Sequence, residues 1–185
     1  MIKTESVFIY VARITLTLLL IAAVVAAALA LVNQITKPLI DQRNAEKTQQ
    51  AIQIVLPGGY EEQITDYADQ TGLVTKVYKG TAGYALEVTP AGFDNTITMM
   101  VGVSFEGKVL GISIISHTES AGLGAVAAAE NAAGNAFRDQ FVGLFGSVFV
   151  SKDGGTVDAI TNATVTSRAV CSGVNAALAC VAGLG

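Results

Sequence analysis

The sequence has no tryptophan, one histidine, two cysteines and few charged residues, and each scarcity argues against a class of function. Charged residues make up 14% of the chain and hydrophobic residues 51%, a balance too apolar for an intrinsically disordered protein. The net charge of -4 and the lack of a basic patch argue against nucleic-acid binding. With aromatic residues at 6% and 19 glycines, we expect a core of small aliphatic side chains and many turns.

The cysteines and the histidine do not have the spacing of a metal site. Cys171 and Cys180 lie in an apolar segment typical of a helix. Because a helix turns about 100° per residue, side chains at these two positions point to roughly opposite sides. The sequence has no Cys-x-x-Cys pair, and His117 is its only histidine. We therefore expect two small core residues and no zinc or iron–sulfur site formed by this chain alone.

A hydrophobic run near the N-terminus is long enough to cross a membrane. Residues 14–32 contain no charged residue, and their number matches the ~20 apolar residues that span the hydrocarbon core of a bilayer. We predict that segment 1–36 contains an uncleaved transmembrane helix at 14–32. A cleaved signal peptide is the main alternative, because Ala28-Leu29-Ala30 resembles a cleavage site. The run is, however, longer than the ~7 to 15 apolar residues of a signal sequence.

The residues around this run leave two further questions. Its orientation stays open on the positive-inside rule alone, because basic residues lie on both sides: Lys3, Arg13, Lys37, Arg43 and Lys47. A pilin-like assembly signal is suggested by Glu5 before the apolar run. That interpretation is disfavoured because the sequence lacks the Gly-terminated leader that such processing needs.

The remainder of the chain has the pattern of one α+β domain. A juxtamembrane helix is predicted over 37–56, with Pro38 in its first turn, and the domain proper over 57–185. Runs rich in Val, Ile, Thr and Tyr, separated by short glycine-containing turns, predict four antiparallel strands at 73–79, 84–89, 96–105 and 108–116. Apolar and alanine-rich patterns predict helices at 125–141 and 166–182, with a further short strand at 147–150.

The residues before the last predicted helix place a hydroxyl where an anion is favoured. The run Asp158-Ala159-Ile160-Thr161-Asn162-Ala163-Thr164 leads into that helix. Free backbone N–H groups and the helix dipole favour negative charge at a helix N-terminus, so a phosphate esterified to Thr164 would be stabilised there. On the residues alone, a plain helix cap is the ordinary explanation. Asn162-Ala163-Thr164 is also an N-glycosylation sequon, which competes for the same turn.

This run resembles the flavinylation motif of the FMN-binding domain family. That motif reads Asp, a small residue, any residue, Ser or Thr, a small or polar residue, and Ala-Thr. In the family the last threonine carries FMN through a phosphoester bond, so the resemblance assigns covalent FMN to Thr164. The resemblance also implies that Asp158, Thr161 and Ala163 belong to the cofactor site. Asn162 stands where glycine or serine is common.

A second run supports the same resemblance. The residues His117-Thr118-Glu119-Ser120-Ala121-Gly122-Leu123-Gly124 are similar to the family's His-x-Glu-Thr-Pro-Gly-Leu-Gly. The resemblance implies that the cofactor site includes His117, Glu119, Gly122, Leu123 and Gly124. The glycines would allow close approach of the backbone to the flavin, and Glu119 would orient the loop. Without the resemblance, His117 would be a strand-end or core histidine and the glycines a turn.

An N-terminal anchor followed by one such domain resembles the G subunit of Rnf electron-transport complexes, or the related C subunit of sodium-pumping NADH:quinone reductase. The short chain favours the first. The resemblance implies an electron-transfer subunit of a redox-driven, sodium- or proton-translocating oxidoreductase, of ferredoxin:NAD type, with no catalytic residue of its own. The alternative is a non-redox, membrane-anchored binding or assembly module in which Thr164 only caps a helix.

The resemblance also predicts partners and location. The partners would be other membrane subunits of the complex, a flavin transferase that uses FAD, and membrane lipid. The chain would cross the cell (inner) membrane once, with its domain on the extracytoplasmic side.

Overall fold

The computed structural model describes residues 4–184, and the chain divides into two compact units, one up to Ala45 and one from Glu46 onward. The elements are α1 (Thr4–Val55), β1 (Glu62–Ile64), β2 (Val74–Lys79), β3 (Gly83–Val88), β4 (Thr98–Ser104), β5 (Val109–Ser116), α2 (Ala132–Asp139) and α3 (Thr164–Leu184). Two short 3-10 helices lie at Gly124–Ala128 and Ser151–Asp153. These elements have the α+β composition that the sequence predicted.

Helix α1 contains the hydrophobic run. Within Ile9–Val55, an 18-residue stretch has a mean hydropathy of 2.8. This part of α1 therefore has the length and composition of a membrane span. Pro38 lies inside α1, so the helix predicted over 37–56 is the C-terminal part of a longer one. Proline is best tolerated in a first helical turn, which is why the sequence suggested a boundary there. In the structure α1 continues through Pro38 without a boundary.

Five strands form one antiparallel sheet in the order β1-β2-β3-β4-β5. Strands that follow each other through short turns pair antiparallel, which gives this simple meander. The four predicted strands are confirmed as β2 to β5. Strand β1 is an addition at the edge, and its three residues are too few to give an alternating sequence pattern.

Both faces of the sheet are covered. On one face, β4 directs Met99, Val101 and Val103 into a core shared with α3. On the other face, Met100 packs in a second core with the C-terminal end of α1, which supplies Ala51, Ile52, Val55 and Leu56. Successive residues of a strand point to opposite faces, so burial on both faces makes β4 apolar throughout.

The end of α1 lies very close to the sheet at Gly102. A Cβ atom built on Gly102 would lie 2.1 Å from the carbonyl oxygen of Val55. Its neighbour on β5, Gly111, has more space, because a Cβ there would lie 3.7 Å from the Cα of Val55. The paired glycines therefore form the platform on which this helix rests, and Gly102 determines how closely it approaches.

The prediction of one helix over 125–141 is wrong. The chain forms the 3-10 helix Gly124–Ala128, stops, and begins α2 with Asn131 as its cap, whose side-chain oxygen accepts from the N–H of Gly134 at 3.0 Å. A Cβ on Gly134 would lie 2.1 Å from the carbonyl oxygen of Ala129. This close return of the backbone and the asparagine cap override the helical propensity of the alanines.

Helix α3 is the core helix of the domain. It is long and apolar enough to pass for a membrane span, but 67% of its apolar window is buried against the rest of the domain. The strand predicted at 147–150 is reduced to an isolated parallel bridge between Val150 and Val157. A 3-10 helix, Ser151–Asp153, follows Val150 and lies beside the N-terminus of α3.

Candidate functional site

Thr164 is the first residue of α3, and the turn before it is held by the helix itself. The hydroxyl of Ser167 donates to the carbonyl oxygen of Ala163 at 2.9 Å and accepts from the N–H of Ile160 at 3.0 Å. Asn162, between them, has φ of 61°. Asparagine tolerates this left-handed conformation better than most residues, so it suits the turn before α3.

Lys152 contacts the candidate acceptor directly. Its ammonium donates to the Thr164 hydroxyl oxygen, with 3.1 Å between Nζ and Oγ1. The first N–H groups of a helix have no partner within that helix, and its dipole places partial positive charge at this end. The Thr164 oxygen therefore lies between a helix N-terminus and a full positive charge. Both favour an anion at this position.

An ion pair next to Lys152 fixes its segment to α3. Arg168 donates two hydrogen bonds to the carboxylate of Asp153, at 2.7 Å from Nε and 2.6 Å from Nη2. This hydrogen bonding from Arg168 lowers the pKa of Asp153, and the aspartate raises the pKa of Arg168. The pair is thus complete above the ordinary pKa of an aspartate and is lost only as the pH falls through the lowered value.

A buried carboxylate joins three segments beneath the same site. Glu119 is 7% exposed. One of its oxygens accepts from the backbone N–H of Phe93 at 2.8 Å, and the other accepts from the hydroxyl of Thr166 at 2.5 Å. Because a buried carboxylate without partners is costly, these bonds hold the three segments together.

Two glycines leave the space that this carboxylate occupies. A Cβ on Gly92 would lie 2.2 Å from one oxygen of Glu119, and a Cβ on Gly124 would lie 2.3 Å from the other. The requirement for glycine at Gly124 is thus steric, since any larger residue displaces the carboxylate. The close approach of this glycine's backbone to the flavin stays a prediction.

These elements enclose a cavity of about 360 Å³, within the ~300 to 1,000 Å³ of small-molecule sites. It contains five of the residues expected at the cofactor site: Glu119, Leu123, Gly124, Ala163 and Thr164. Its other lining residues are Phe93, Ser120, Lys152, Asn162, Val165 and Thr166. The two runs singled out in the sequence, some forty residues apart, therefore meet in one cavity.

Four other expected residues lie outside this lining. Gly122 is an exposed turn residue with φ of 75°. Thr161 is exposed, and the backbone of Asp158 is bound to the side chain of Gln140, to which its N–H donates at 2.7 Å. His117 lines a different cavity, of about 340 Å³, and its Nδ1 is buried without a hydrogen-bond partner among the described residues.

Sequence reasoning missed Lys152 and Phe93. Lys152 reaches Thr164 across twelve positions through a turn ending at Gly154, whose φ is 83°, and no local pattern indicates that contact. Phe93 is 71% exposed at the cavity, although aromatic side chains are usually buried. Phe93 lies in a single bend between Gly92 and Asn95, where the N–H of Gly92 donates to the carbonyl oxygen of Asn95. A phenylalanine inside such a polar turn was the signal that could have indicated it.

The cavity has the features of a cofactor site, and comparison with known families agrees with this. The FMN-binding domain family matches residues 92–179, a range that contains the lining residues of the cavity. The chain therefore contains an FMN-binding domain, and its α+β fold presents that domain's two motifs to one cavity.

Relatives extend the match over nearly the whole chain. The G subunit of the Na⁺-translocating ferredoxin:NAD⁺ oxidoreductase complex of Acetobacterium woodii is 32% identical, over 88% of this chain and 87% of that protein. The G subunit of the ion-translocating oxidoreductase complex of Methanosarcina acetivorans is 30% identical, over 91% and 93%. The G subunit of the proton-translocating ferredoxin:NAD⁺ oxidoreductase complex of Clostridium ljungdahlii is 28% identical, over 94% and 91%. The chain belongs to the family of G subunits of ion-translocating oxidoreductase complexes, which confirms the resemblance.

The residues of the cavity fit FMN. Lys152 and the N-terminus of α3 suit the phosphate, because each favours negative charge. Phe93, Leu123 and Val165 are 71%, 42% and 46% exposed, and they offer apolar surface of the kind that an aromatic ring system covers. The cavity thus combines a site for the phosphate beside Thr164 with apolar side chains for the flavin ring.

Proposed function

We propose that this chain is the electron-transfer subunit of a membrane-bound, ion-translocating oxidoreductase complex, and that it carries FMN joined to Thr164 by a phosphoester bond. One observation supports the attachment above all others. The Thr164 hydroxyl stands at the N-terminus of α3, in the cavity, 3.1 Å from an ammonium group. This arrangement suits an esterified phosphate, and the chain belongs to the family of G subunits.

The attachment is a group transfer with FAD as donor. The oxygen of Thr164 forms a bond to the phosphorus of the FMN half, and the phosphoanhydride bond of FAD breaks. AMP leaves, and the hydroxyl proton passes to a base of the flavin transferase that catalyses the step. The product keeps one negative charge on the phosphodiester, next to Lys152 and the helix N-terminus.

Bound FMN supplies reversible one- and two-electron chemistry, and the protein supplies position. We therefore assign no general acid, general base or metal ligand to this chain. Glu119 supports the cavity, since it connects Phe93 and Thr166. The chain is a subunit of an enzyme, and its electrons come from and go to other parts of the complex.

The proposal includes the membrane. Helix α1 would cross it once, and the FMN domain would lie outside the cytoplasm. Covalent attachment suits that location, because free FMN lost from an exposed site would be difficult to replace. The partners are the other membrane subunits, and the ferredoxin:NAD type of complex is favoured by the names of the relatives. The transported ion is sodium or proton.

Replacing the acceptor tests the proposal. The full chain is co-expressed with a flavin transferase, and attachment is measured by intact mass and by flavin fluorescence in a denaturing gel. Thr164→Val keeps the approximate shape and removes the oxygen, so we expect no covalent flavin. Folding should persist, because the variant removes an exposed hydrogen bond from Lys152, a contact worth on the order of 1 kcal/mol. Thr156→Val is the matched control, since Thr156 is exposed and lies outside both the motif and the cavity lining, so that variant should carry FMN normally. Thr161→Val tests an alternative acceptor within the motif.

The outcomes separate the alternatives. If Thr164→Val still carries FMN and Thr161→Val does not, the protein is a flavoprotein but the attachment residue is wrong. If the unaltered chain never acquires FMN in the presence of an active transferase, the redox function fails. The non-redox binding or assembly module would then be the better explanation.

A further inference from the structure

We propose that Lys152 selects Thr164 as the acceptor for FMN and remains as the counter-charge of the phosphodiester. This inference rests on the proposed function, but it concerns a residue outside both sequence motifs. It explains why Thr164 would be modified in preference to Thr161 and Thr166, which the motif itself does not explain.

The three threonine hydroxyls have different surroundings. The hydroxyl of Thr166 is buried and donates to Glu119, so its proton and its oxygen are already engaged. Thr161 is exposed and lies outside the cavity lining. Thr164 lies in the cavity and accepts a hydrogen bond from the ammonium of Lys152. Among these three threonines, only Thr164 has an acceptor oxygen that faces a positive charge in the cavity.

Lys152 has no rival for this role within the cavity. Among the described residues that line it, Lys152 is the one cation, and Glu119 is the one anion. The carboxylate oxygens of Glu119 are occupied by Phe93 and Thr166, so the ammonium is left to pair with the acceptor. Arg168 of α3 binds Asp153, which follows Lys152 in the sequence. This ion pair keeps Lys152 near Thr164.

The chemistry of the transfer uses this contact twice. During attack the Thr164 oxygen gains negative charge as its proton moves to the base of the transferase. A donor already aimed at that oxygen stabilises this charge without reorganisation. After AMP has left, the same ammonium balances the negative phosphodiester, and hydrogen bonds between charged partners are the stronger class.

The test measures the transfer rate against acceptor concentration. The full chain, in detergent, is mixed with purified flavin transferase and FAD, and FMN incorporation is followed by intact mass. Lys152→Met should lower kcat by about 10- to 100-fold, the range for a hydrogen bond to a charged group, and leave KM for the acceptor within about twofold. Lys152→Arg should recover most of the rate. Lys79→Met, which removes an exposed lysine from β2, is the matched control and should match the unaltered chain.

Each result has one meaning. An unchanged kcat for Lys152→Met overturns the inference while the proposed function survives, because the unaltered chain is still modified. A raised KM with normal kcat also overturns it and makes Lys152 a docking contact for the transferase. If FMN in Lys152→Met appears on Thr161 or Thr166, as located by peptide mass, the selecting role is supported directly. Thermal unfolding of all three variants shows whether a loss of rate is a loss of folding.

Discussion

The roles of Thr164, Lys152 and His117 depend on their positions in the fold. The role of Thr164 as the acceptor stays a prediction. The sequence motif singled out this residue, because a motif fixes residue types at fixed spacing. It was not enough to predict Lys152, because that contact depends on a turn between two elements. The same limit applies to His117, which the resemblance placed at the cofactor and the structure places in another cavity. Its role at the cofactor stays a prediction.

The two cysteines show how burial controls reactivity. Both are buried, and burial raises the pKa of Cys171 to about 11 and raises that of Cys180. A thiol reacts as its thiolate, so neither should react with a disulfide reagent at pH 8 in the folded protein. Both should react once the protein is unfolded in urea. Intact mass after brief treatment measures this, and a rapid native reaction of either cysteine would contradict the buried core position.

The same pKa shift has a sign that unfolding measurements can check. Below the ordinary thiol pKa, Cys171 is neutral in both states and adds no pH dependence. Above it, the unfolded chain loses the proton and the folded chain does not, so the free energy of unfolding falls by at most ~1.4 kcal/mol per pH unit until about pH 11. Cys171→Ala should show a shallower decline than the unaltered domain in urea titrations over this range. Equal slopes would mean that the thiol is not shielded.

At the level of elements, the strands were predictable and the middle of the chain was not. Strands β2 to β5 carry continuous apolar and β-branched runs, and α3 repeats apolar residues at helical spacing, so both were found within a few residues. The region 125–141 failed because alanine favours a helix wherever packing is ignored. Tertiary contacts decided otherwise, through the cap at Asn131 and the tight backbone return at Gly134.

The contact between α1 and the sheet gives a prediction about an element. Gly102→Ala would place a methyl group 2.1 Å from the Val55 carbonyl oxygen, so the end of α1 must move. Overpacking of this kind costs typically ~1 to 3 kcal/mol. Gly111→Ala, at the paired position, meets only an ordinary contact at 3.7 Å and should be nearly neutral. Urea unfolding of the two variants compares them, and equal stability would contradict the close helix–sheet contact.

At the level of the whole molecule, the family was recognisable from the amino-acid sequence alone. The two motifs identified it, and the relatives, aligned over most of this chain, confirm it. The division of the chain was less accessible. The sequence suggested a domain over 57–185, whereas the compact unit begins at Glu46 and includes the end of α1. Periodicity alone does not reveal that the last turns of a long helix belong to the core of the domain that follows.

This division predicts which truncation folds. A protein of residues 46–185 retains the α1 residues that cover the sheet and should be soluble, cooperative in unfolding and competent for FMN attachment. A protein of residues 57–185 loses Ala51, Ile52, Val55 and Leu56, and it exposes the second core. We expect it to aggregate or unfold at much lower urea concentration. If residues 57–185 fold as well as residues 46–185, the end of α1 is not part of the domain.

The membrane assignment is tested with the same proteins. The full chain should sediment with membranes and resist extraction by alkaline carbonate, because α1 has the length and composition of a membrane span. The protein of residues 46–185 lacks the apolar run and should stay in the supernatant. A full chain that is released without detergent would contradict the transmembrane helix.

The carboxylate of Glu119 has a consequence for the timing of maturation. It ties Phe93 to Thr166, and these contacts close loops of 26 and 47 positions. A newly made chain therefore contains Thr164 before the cavity around it has formed, because these contacts need residues distant in the sequence to meet. If the transferase requires that cavity, FMN is added only after long-range folding is complete. Attachment would then report folding, and a subunit that carries FMN would be one whose domain has already folded.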